Sequence, residues 1–308
     1  MECGVIWLPP LLAVWFFAAS AICGQRLTTM MDAMWANLTR LTLAAVFLAI
    51  LTFVFAEGLQ LGNAAMPWFV LSGAVGFGIG DIGLYLAFVR LGARLTLLIN
   101  LCLAPLFAAA GERLLLGTRI GGPEFAAMLM VLLGVGLSVT GRRPVQPNRE
   151  RDYPLGIALA VLAGMGQGFG AVLSRWAEMH AAPGPVGPFA QAFQRCGAGW
   201  LVLLLATLVW TRFMRRRNET ITRVPFRKLF PWLLGAATFG PVIGVSCFQW
   251  GLVLVQNSAF VQAVVSTSPI ALMILVYLID REAPTRRSVI GAIVGIAGVA
   301  ALCLLRQG

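Results

Sequence analysis

The sequence predicts an all-helical integral membrane protein, with ten transmembrane helices arranged as two inverted repeats of five. Three observations predict this: a very apolar composition, ten apolar runs of membrane-crossing length, and a likeness between the two halves of the chain. The 308 residues are 59% hydrophobic and 11% charged, whereas soluble domains carry about 25% charged residues. With so few ions, the chain is expected to expose most of its surface to lipid.

The apolar runs set the number and kind of the spans. A helix needs about 20 residues to cross a bilayer. Because the hydrophobicity within each run is continuous and does not alternate, helices are predicted rather than the strands of a barrel. The predicted spans are 8–24, 38–56, 68–89, 95–116, 124–141, 155–174, 189–211, 230–253, 259–279 and 288–305.

A polar segment divides the ten runs into five and five. The predicted organisation is a first five-helix repeat at 1–141, a polar linker at 142–154 and a second repeat at 155–308. A shift of 164 residues places glycines 76 and 80 on glycines 240 and 244, and Pro105 on Pro269. An odd number of spans inserts the second repeat upside down, and inverted repeats place a binding site near the midplane.

Basic residues are distributed unevenly between the loops. The odd-numbered loops contain 18 of the 23 Lys and Arg residues, and the other face contains 4. The positive-inside rule then predicts cytoplasmic odd loops and external termini. The densest cluster, Arg212 to Lys228, is interpreted as a cytoplasmic loop, so no nucleic-acid partner is expected.

The ordered motifs resemble the EamA-type, ten-helix branch of the drug/metabolite transporter superfamily over essentially the whole chain. The segments that carry the resemblance are Gly76-x-x-x-Gly80, the Pro105 helix, Phe248-Gln-Trp-Gly-Leu252, Ser268-Pro269, Asp280-Arg-Glu282-Ala-Pro284, and Arg40 and Arg195 early in the second helix of each half. The resemblance implies cytoplasmic termini, opposite to the charge count, and both orientations stay open.

The same resemblance also implies a glutamate at the end of the fourth helix in each half. Glu282 keeps this residue in the second half, whereas Thr118 occupies the matching position in the first. Glu112 lies six residues earlier and is expected to snorkel to the interface.

Polar residues inside the spans are the candidates for the site, because each is costly in hydrocarbon. Asp81 has two interpretations, a proton-coupling or substrate-amine site and a structural salt bridge to one of the buried charges Arg40 and Arg195. Pro105 and Pro269 are candidate helix breaks or gating points, because proline removes a helical hydrogen bond. The predicted substrate-binding cavity is lined by Trp15, Asp81, Tyr85, Asn100, Gln167, Gln191, Gln249, Trp250 and Gln262.

These features predict a secondary permease that moves a small metabolite, an amino-acid-like or amphipathic solute, by alternating access. Two alternatives stay open: a lipid-linked carrier flippase, and a non-transporting membrane scaffold or receptor. An enzyme is not expected, because no aspartate cluster is present to hold Mg²⁺ and the single histidine, His180, lies outside the spans. Neither a cofactor nor a metal is expected.

The expected location is a cell membrane, crossed many times, as in proteins of the bacterial inner membrane. The expected partners are membrane lipid and a small-molecule substrate. A proton or another coupling ion and a homodimer are left open.

Overall fold

The computed structural model describes residues 3–139, 153–214, 225–281 and 285–305. Within these ranges every regular element is helical. Nine helical stretches there are long and apolar enough to cross a membrane, and a shorter apolar helix, Gly122–Ser138, adds a tenth. The predicted all-helical membrane fold with ten helices is therefore confirmed.

The helices follow the predicted runs closely. They are α1 (Cys3–Met30), α2 (Ala33–Val54), α3 (Met66–Gly73), α4 (Asp81–Leu115), α5 (Gly122–Val139), α6 (Tyr153–Met179), α7 (Pro188–Met214), α8 (Phe226–Ala237), α9 (Val245–Val255), α10 (Ser258–Val265), α11 (Ser268–Asp280) and α12 (Arg286–Leu305). Two π-helical segments, Ala74–Gly80 and Thr238–Gly244, join α3 to α4 and α8 to α9.

These helices form ten spans, numbered in chain order. Spans 1, 2, 5, 6, 7 and 10 correspond to α1, α2, α5, α6, α7 and α12. The remaining spans are span 3 (Met66–Gly92), span 4 (Leu95–Leu115), span 8 (Phe226–Val255) and span 9 (Ser258–Leu278).

Local chemistry sets where several spans begin and end. Gly92 divides α4 between spans 3 and 4, because its φ of 75° is a conformation that glycine adopts without steric cost. The Asp32 carboxylate accepts a hydrogen bond from Met34 N at 2.9 Å and caps α2. Asn257 caps α10 in the same way, through Phe260 N at 3.1 Å.

The two prolines that were predicted to break helices behave differently. Span 9 is interrupted between α10 and α11, and Pro269 occupies the first turn of α11, where its missing N–H costs nothing. Pro105 lies inside α4, whose only non-helical residue is Gly92. The prediction of a helix break at Pro105 is therefore wrong: the helix continues through a single missing hydrogen bond.

The two repeats are inverted. The π-helical segments coincide under the shift of 164 residues. Spans 5 and 10 cross in opposite directions: a Cβ atom at Gly134 would collide with the backbone of Gly295, and one at Gly298 would lie 2.7 Å from Val131 N. Under the shift of 164 residues, Gly134 corresponds to Gly298 and Val131 corresponds to Gly295. The contact of Gly134 with Gly295 is therefore equivalent to the contact of Gly298 with Val131, as a pseudo-two-fold axis in the membrane plane requires.

The alternation of spans defines two faces. Side A carries the connections 55–65, 116–121, 180–187 and 256–257, and side B is the opposite face, with the connection 31–32. Part of the predicted linker (142–152), the arginines between 215 and 223, and Glu282 with Pro284 lie outside the described residues.

Candidate functional site

A cavity of about 120 Å³ lies between the two repeats, near the middle of the spans. Its walls come from spans 1 to 4 and 6 to 9. Both π-helical segments contribute backbone to it, through Gly76, Gly80 and Gly240. A π-helical turn inside an α-helix is frequently found at functional sites.

A buried ion pair occupies the first-repeat side of the cavity. Arg40, which is 5% exposed, donates to Asp81 Oδ2 and, at 2.8 Å, to Asn37 Oδ1. The Arg40 guanidinium also lies 4.9 Å from the centre of the Tyr85 ring. The structure thus contains the salt bridge that was one interpretation of Asp81, while a coupling role stays a prediction.

Arg195 lies in the opposite wall without a carboxylate partner in the described part of the chain. It is 5% exposed and donates to Gln249 Oε1 at 2.5 Å. Its Nε atom is buried and makes no hydrogen bond to any described residue. The guanidinium carbon lies 5.5 Å from the centre of the Phe77 ring.

A chain of hydrogen bonds leads from Arg195 toward side A. Gln249 Nε2 donates to Gln191 Oε1 at 2.9 Å, and Gln191 Nε2 donates to Glu178 Oε1. Each amide accepts from the Arg195 end and donates toward the Glu178 end. Arg195 can only donate, and the Glu178 carboxylate can only accept. Both amides must therefore turn their oxygen toward Arg195 and their nitrogen toward Glu178.

The structure brings together part of the predicted cavity lining. Asp81, Tyr85, Asn100 and Gln167 contribute to the wall. Asn100 Oδ1 is buried there without a hydrogen-bond partner in the described chain.

The three other amides of the predicted lining are fully buried behind the wall. Gln191 and Gln249 connect to Arg195 as described, and Gln262 donates to the backbone carbonyl of Gln167 at 3.0 Å. Their place in the predicted cavity lining is therefore corrected: they support the wall from behind.

The two tryptophans do not belong to the cavity. Trp15 is 46% exposed and Trp250 is 44% exposed, and both rings lie on the outer surface. Successive residues of a helix point about 100° apart, so the neighbour of the buried Gln249 is turned outward. The prediction that Trp15 and Trp250 line the cavity is wrong.

Several wall residues had not been singled out from the sequence. They are mainly apolar or small, including Phe17, Ser20, Phe77 and Phe88. Nothing in their sequence pattern separates them from lipid-facing residues of the same types. Their helical phase relative to Arg40 and Asp81 would have been the only signal.

Glu112 joins the two repeats near side A instead of snorkelling to the interface. Its side chain is fully buried, Oε1 accepts from Ser258 N at 2.8 Å and from Ser258 Oγ at 2.6 Å, and Oε2 accepts from Arg175. The expectation of snorkelling is wrong, because these partners from spans 6 and 9 satisfy the carboxylate inside the protein. We call Glu112, Arg175 and Ser258 the side-A clasp.

The loops of side A also connect the two repeats. Asn63 Nδ2 donates to Gly184 O at 2.9 Å, and Ala64 N donates to Ala182 O at 3.1 Å. Ala190 N donates to Glu57 Oε2 at 2.8 Å. Burial raises the pKa of Glu57, and the backbone N–H groups that it accepts from oppose this rise.

Among the described residues, no group of three or more His, Cys, Asp or Glu side chains is arranged to hold a metal ion. The inverted repeats and the charged cavity between them define a multi-pass membrane protein with a polar cavity at its centre. The EamA-like transporter family model matches residues 3–140 and again residues 154–304. The chain belongs to this family, which is part of the drug/metabolite transporter superfamily.

The fold also recurs among solved structures. One crystal structure of a protein superposes on this chain with a TM-score of 0.72 at 16% sequence identity. The superposition covers 99% of this chain and 98% of the other chain. At this identity the likeness supports the fold alone. Among curated proteins, none matches the chain.

Proposed function

We propose that the protein is a secondary transporter that moves a small amino-acid-like or amphipathic solute by alternating access. The observation that carries the proposal is the cavity between inverted repeats, whose wall contains Arg40, Asp81 and Arg195. Buried charges in a membrane are costly and mark substrate or ion pathways.

The polar contacts between the repeats are stronger on side A than on side B, where Trp210 Nε1 donates to Asp32 Oδ2 at 3.4 Å and Arg26 lies 4.5 Å from the centre of the Trp232 ring. The clasp and the loop contacts join the repeats on side A. Toward side B the cavity is bounded by apolar side chains, Phe88, Leu97 and Leu101. These three side chains are buried, so we infer that the cavity opens to side B by moving them apart and opens to side A after the repeats rock.

The test is uptake by purified protein in liposomes, with a panel of amino acids, carboxylic acids, amines and amphipathic drugs, under imposed pH and ion gradients. We expect saturable transport of at least one member. Leu84→Trp, which places an indole in the cavity wall, should reduce it at least tenfold. Ile79→Trp is the matched control, because Ile79 lies in the same span and is 47% exposed on the outer surface.

Absence of transport for the whole panel would contradict the proposal. Equal activity of the Leu84→Trp and Ile79→Trp proteins would contradict the assignment of the cavity as the pathway. Movement of a lipid-linked carrier alone would favour a flippase instead.

A further inference from the structure

The pseudo-two-fold axis places the two buried arginines in equivalent positions. A Cβ atom at Gly76 would lie 3.3 Å from Arg195 Nη2, and one at Gly240 would lie 3.3 Å from Arg40 Nη1. Gly76 and Gly240 are 164 residues apart and lie in the two π-helical segments. Each guanidinium therefore packs against the same turn of the opposite repeat.

The acid that accompanies one arginine is missing for the other. The residue that follows the first π-helical segment is Asp81, and the residue that follows the second is Val245. Their backbones match, with φ and ψ of −71° and −30° at Asp81 and of −73° and −34° at Val245. Both side chains reach the cavity wall, so an apolar side chain stands where symmetry would place a carboxylate.

The cavity consequently has one positive charge in excess. Its charged wall residues are Arg40, Asp81 and Arg195. Asp81 is the acid of this wall, and its ion-pair partner is Arg40. A buried guanidinium that is left with a neutral acceptor is unfavourable, and the group that complements its planar set of donors is a carboxylate.

We propose that Arg195 binds the carboxylate of a small monocarboxylic substrate, which supplies the acid missing at Val245. This inference rests on the proposed transport function and specifies its substrate class. Gln249 is a positioning residue: its Oε1 accepts from Arg195 at 2.5 Å, and the amide chain behind it fixes the direction of that bond. The ion pair of Asp81 with Arg40 leaves no free acid for a substrate amine, which disfavours cationic substrates.

The other residues of the cavity wall indicate the size and polarity of the part of the substrate that carries the carboxylate. The wall is mainly apolar and includes the rings of Phe17, Phe77, Phe88 and Phe248. The volume of about 120 Å³ is similar to that of an apolar cavity of about 150 Å³ that binds benzene. A body no larger than one ring or a branched aliphatic chain is therefore expected, and a dianion would exceed the single excess charge.

The first experiment measures the preference for a carboxylate in the wild-type protein. Acetate, isovalerate and benzoate are each compared with the amide of the same acid, by calorimetric titration and by competition for transport in liposomes. We expect at least one acid to bind tenfold or more tightly than its amide, and benzylamine to bind more weakly than benzamide. If no acid binds more tightly than its amide, the inference is wrong.

The second experiment restores the missing acid. Val245→Asp should pair with Arg195 and reduce the affinity for the preferred acid at least tenfold, whereas the nearly isosteric Val245→Asn should keep the preference for the acid over its amide. Arg195→Gln should lose that preference and Arg195→Lys should retain part of it. Monodisperse elution and an unchanged thermal transition identify the variants that fold.

The outcomes separate this inference from the proposed function. Transport of neutral or cationic solutes, with the same affinities in Val245→Asp and Val245→Asn, would overturn the role of Arg195 and leave a transporter. Failure to transport any member of the broad panel would overturn both.

Discussion

At the scale of single residues, the cavity combines one satisfied and one unsatisfied arginine. Arg40 is neutralised by Asp81 and further held by Asn37 and the Tyr85 ring. Arg195 donates to the neutral amide oxygen of Gln249 and has no carboxylate partner in the described part of the chain. We therefore expect the Arg40–Asp81 pair to stabilise the fold, and we propose Arg195 as the residue that binds an anion.

The Arg40–Asp81 pair provides a prediction about stability. Asp81→Asn leaves two buried guanidinium groups without an acid and should cost about 3–5 kcal/mol, as breaking a buried pair does. It should be measured as a lower thermal transition in detergent. In the Arg40→Gln background the same substitution should cost much less, which corresponds to a coupling of about 2 kcal/mol or more between the two sites.

Additive effects of Arg40→Gln and Asp81→Asn would contradict the structural role of the pair. If Asp81→Asn instead folds with an unchanged transition and loses only the response to a gradient, Asp81 acts in coupling. The double variant distinguishes these cases, because it removes both charges of the pair and leaves neither Arg40 nor Asp81 without the other.

At the scale of helices, the contacts that join the two repeats differ between side A and side B. The clasp ties the end of span 4 to the end of span 6 and the start of span 9. The shift of 164 residues maps Glu112 onto Val276, so the second repeat has no carboxylate at the position that would form the same clasp on side B. The repeats share the same order and path of helices, but only the first repeat supplies a carboxylate for a clasp of this kind.

This difference yields a prediction for Glu112→Gln. The substitution removes the charge that holds Arg175 and weakens the bonds to Ser258, which leaves buried donors poorly satisfied. Hydrogen exchange of the amides at 256–260 should accelerate at least tenfold. Glu124→Gln is the matched control, because Glu124 lies near the same face and accepts from its own helix start, at Gly121 N.

Unchanged exchange in Glu112→Gln would contradict the clasp as the closure of side A. Faster exchange over all spans would indicate general destabilisation instead of local opening. Ser258→Ala should give a smaller local effect, because it removes one of the two bonds to Oε1 and keeps the other.

The helices also show how far sequence reasoning reaches. Lipid demands a continuous apolar run for each span, so the number and order of the spans were predictable, and Gly and Pro revealed the repeat. Span 1 was predicted to end at residue 24 but continues to Met30, because backbone hydrogen bonding does not stop where polar side chains such as Gln25 begin. Ends of spans are therefore less predictable than their existence.

The site was predictable only in part, for a different reason. Burial cost identifies Asp81, Arg40 and Arg195 as important, because charges inside spans need partners. It does not give the rotation of a helix about its axis, which decides that Gln249 is buried and Trp250 is exposed. Nor does it reveal distant partners: Glu112 looked suited to snorkelling until Ser258, 146 residues later in the chain, was placed beside it.

At the scale of the whole molecule, the inverted repeats make a second state expected. Because the two halves have nearly the same backbone plan with opposite direction, exchanging their conformations would open side A and close side B. The contacts that must break are those that join residues of different repeats on side A, including Asn63 with Gly184 and Ala64 with Ala182.

This exchange gives a prediction about covalent locking. A disulfide formed between Asn63→Cys and Gly184→Cys should hold the two loops together and keep side A closed. Oxidation should then reduce transport in liposomes at least tenfold, and a reductant should restore it. The protein with native cysteines and each single variant, oxidised in parallel, are the controls, because none can form this bond. Full transport in a protein shown by mass spectrometry to carry the cross-link would mean that the loops do not separate during the cycle, and the pathway would have to avoid side A between them.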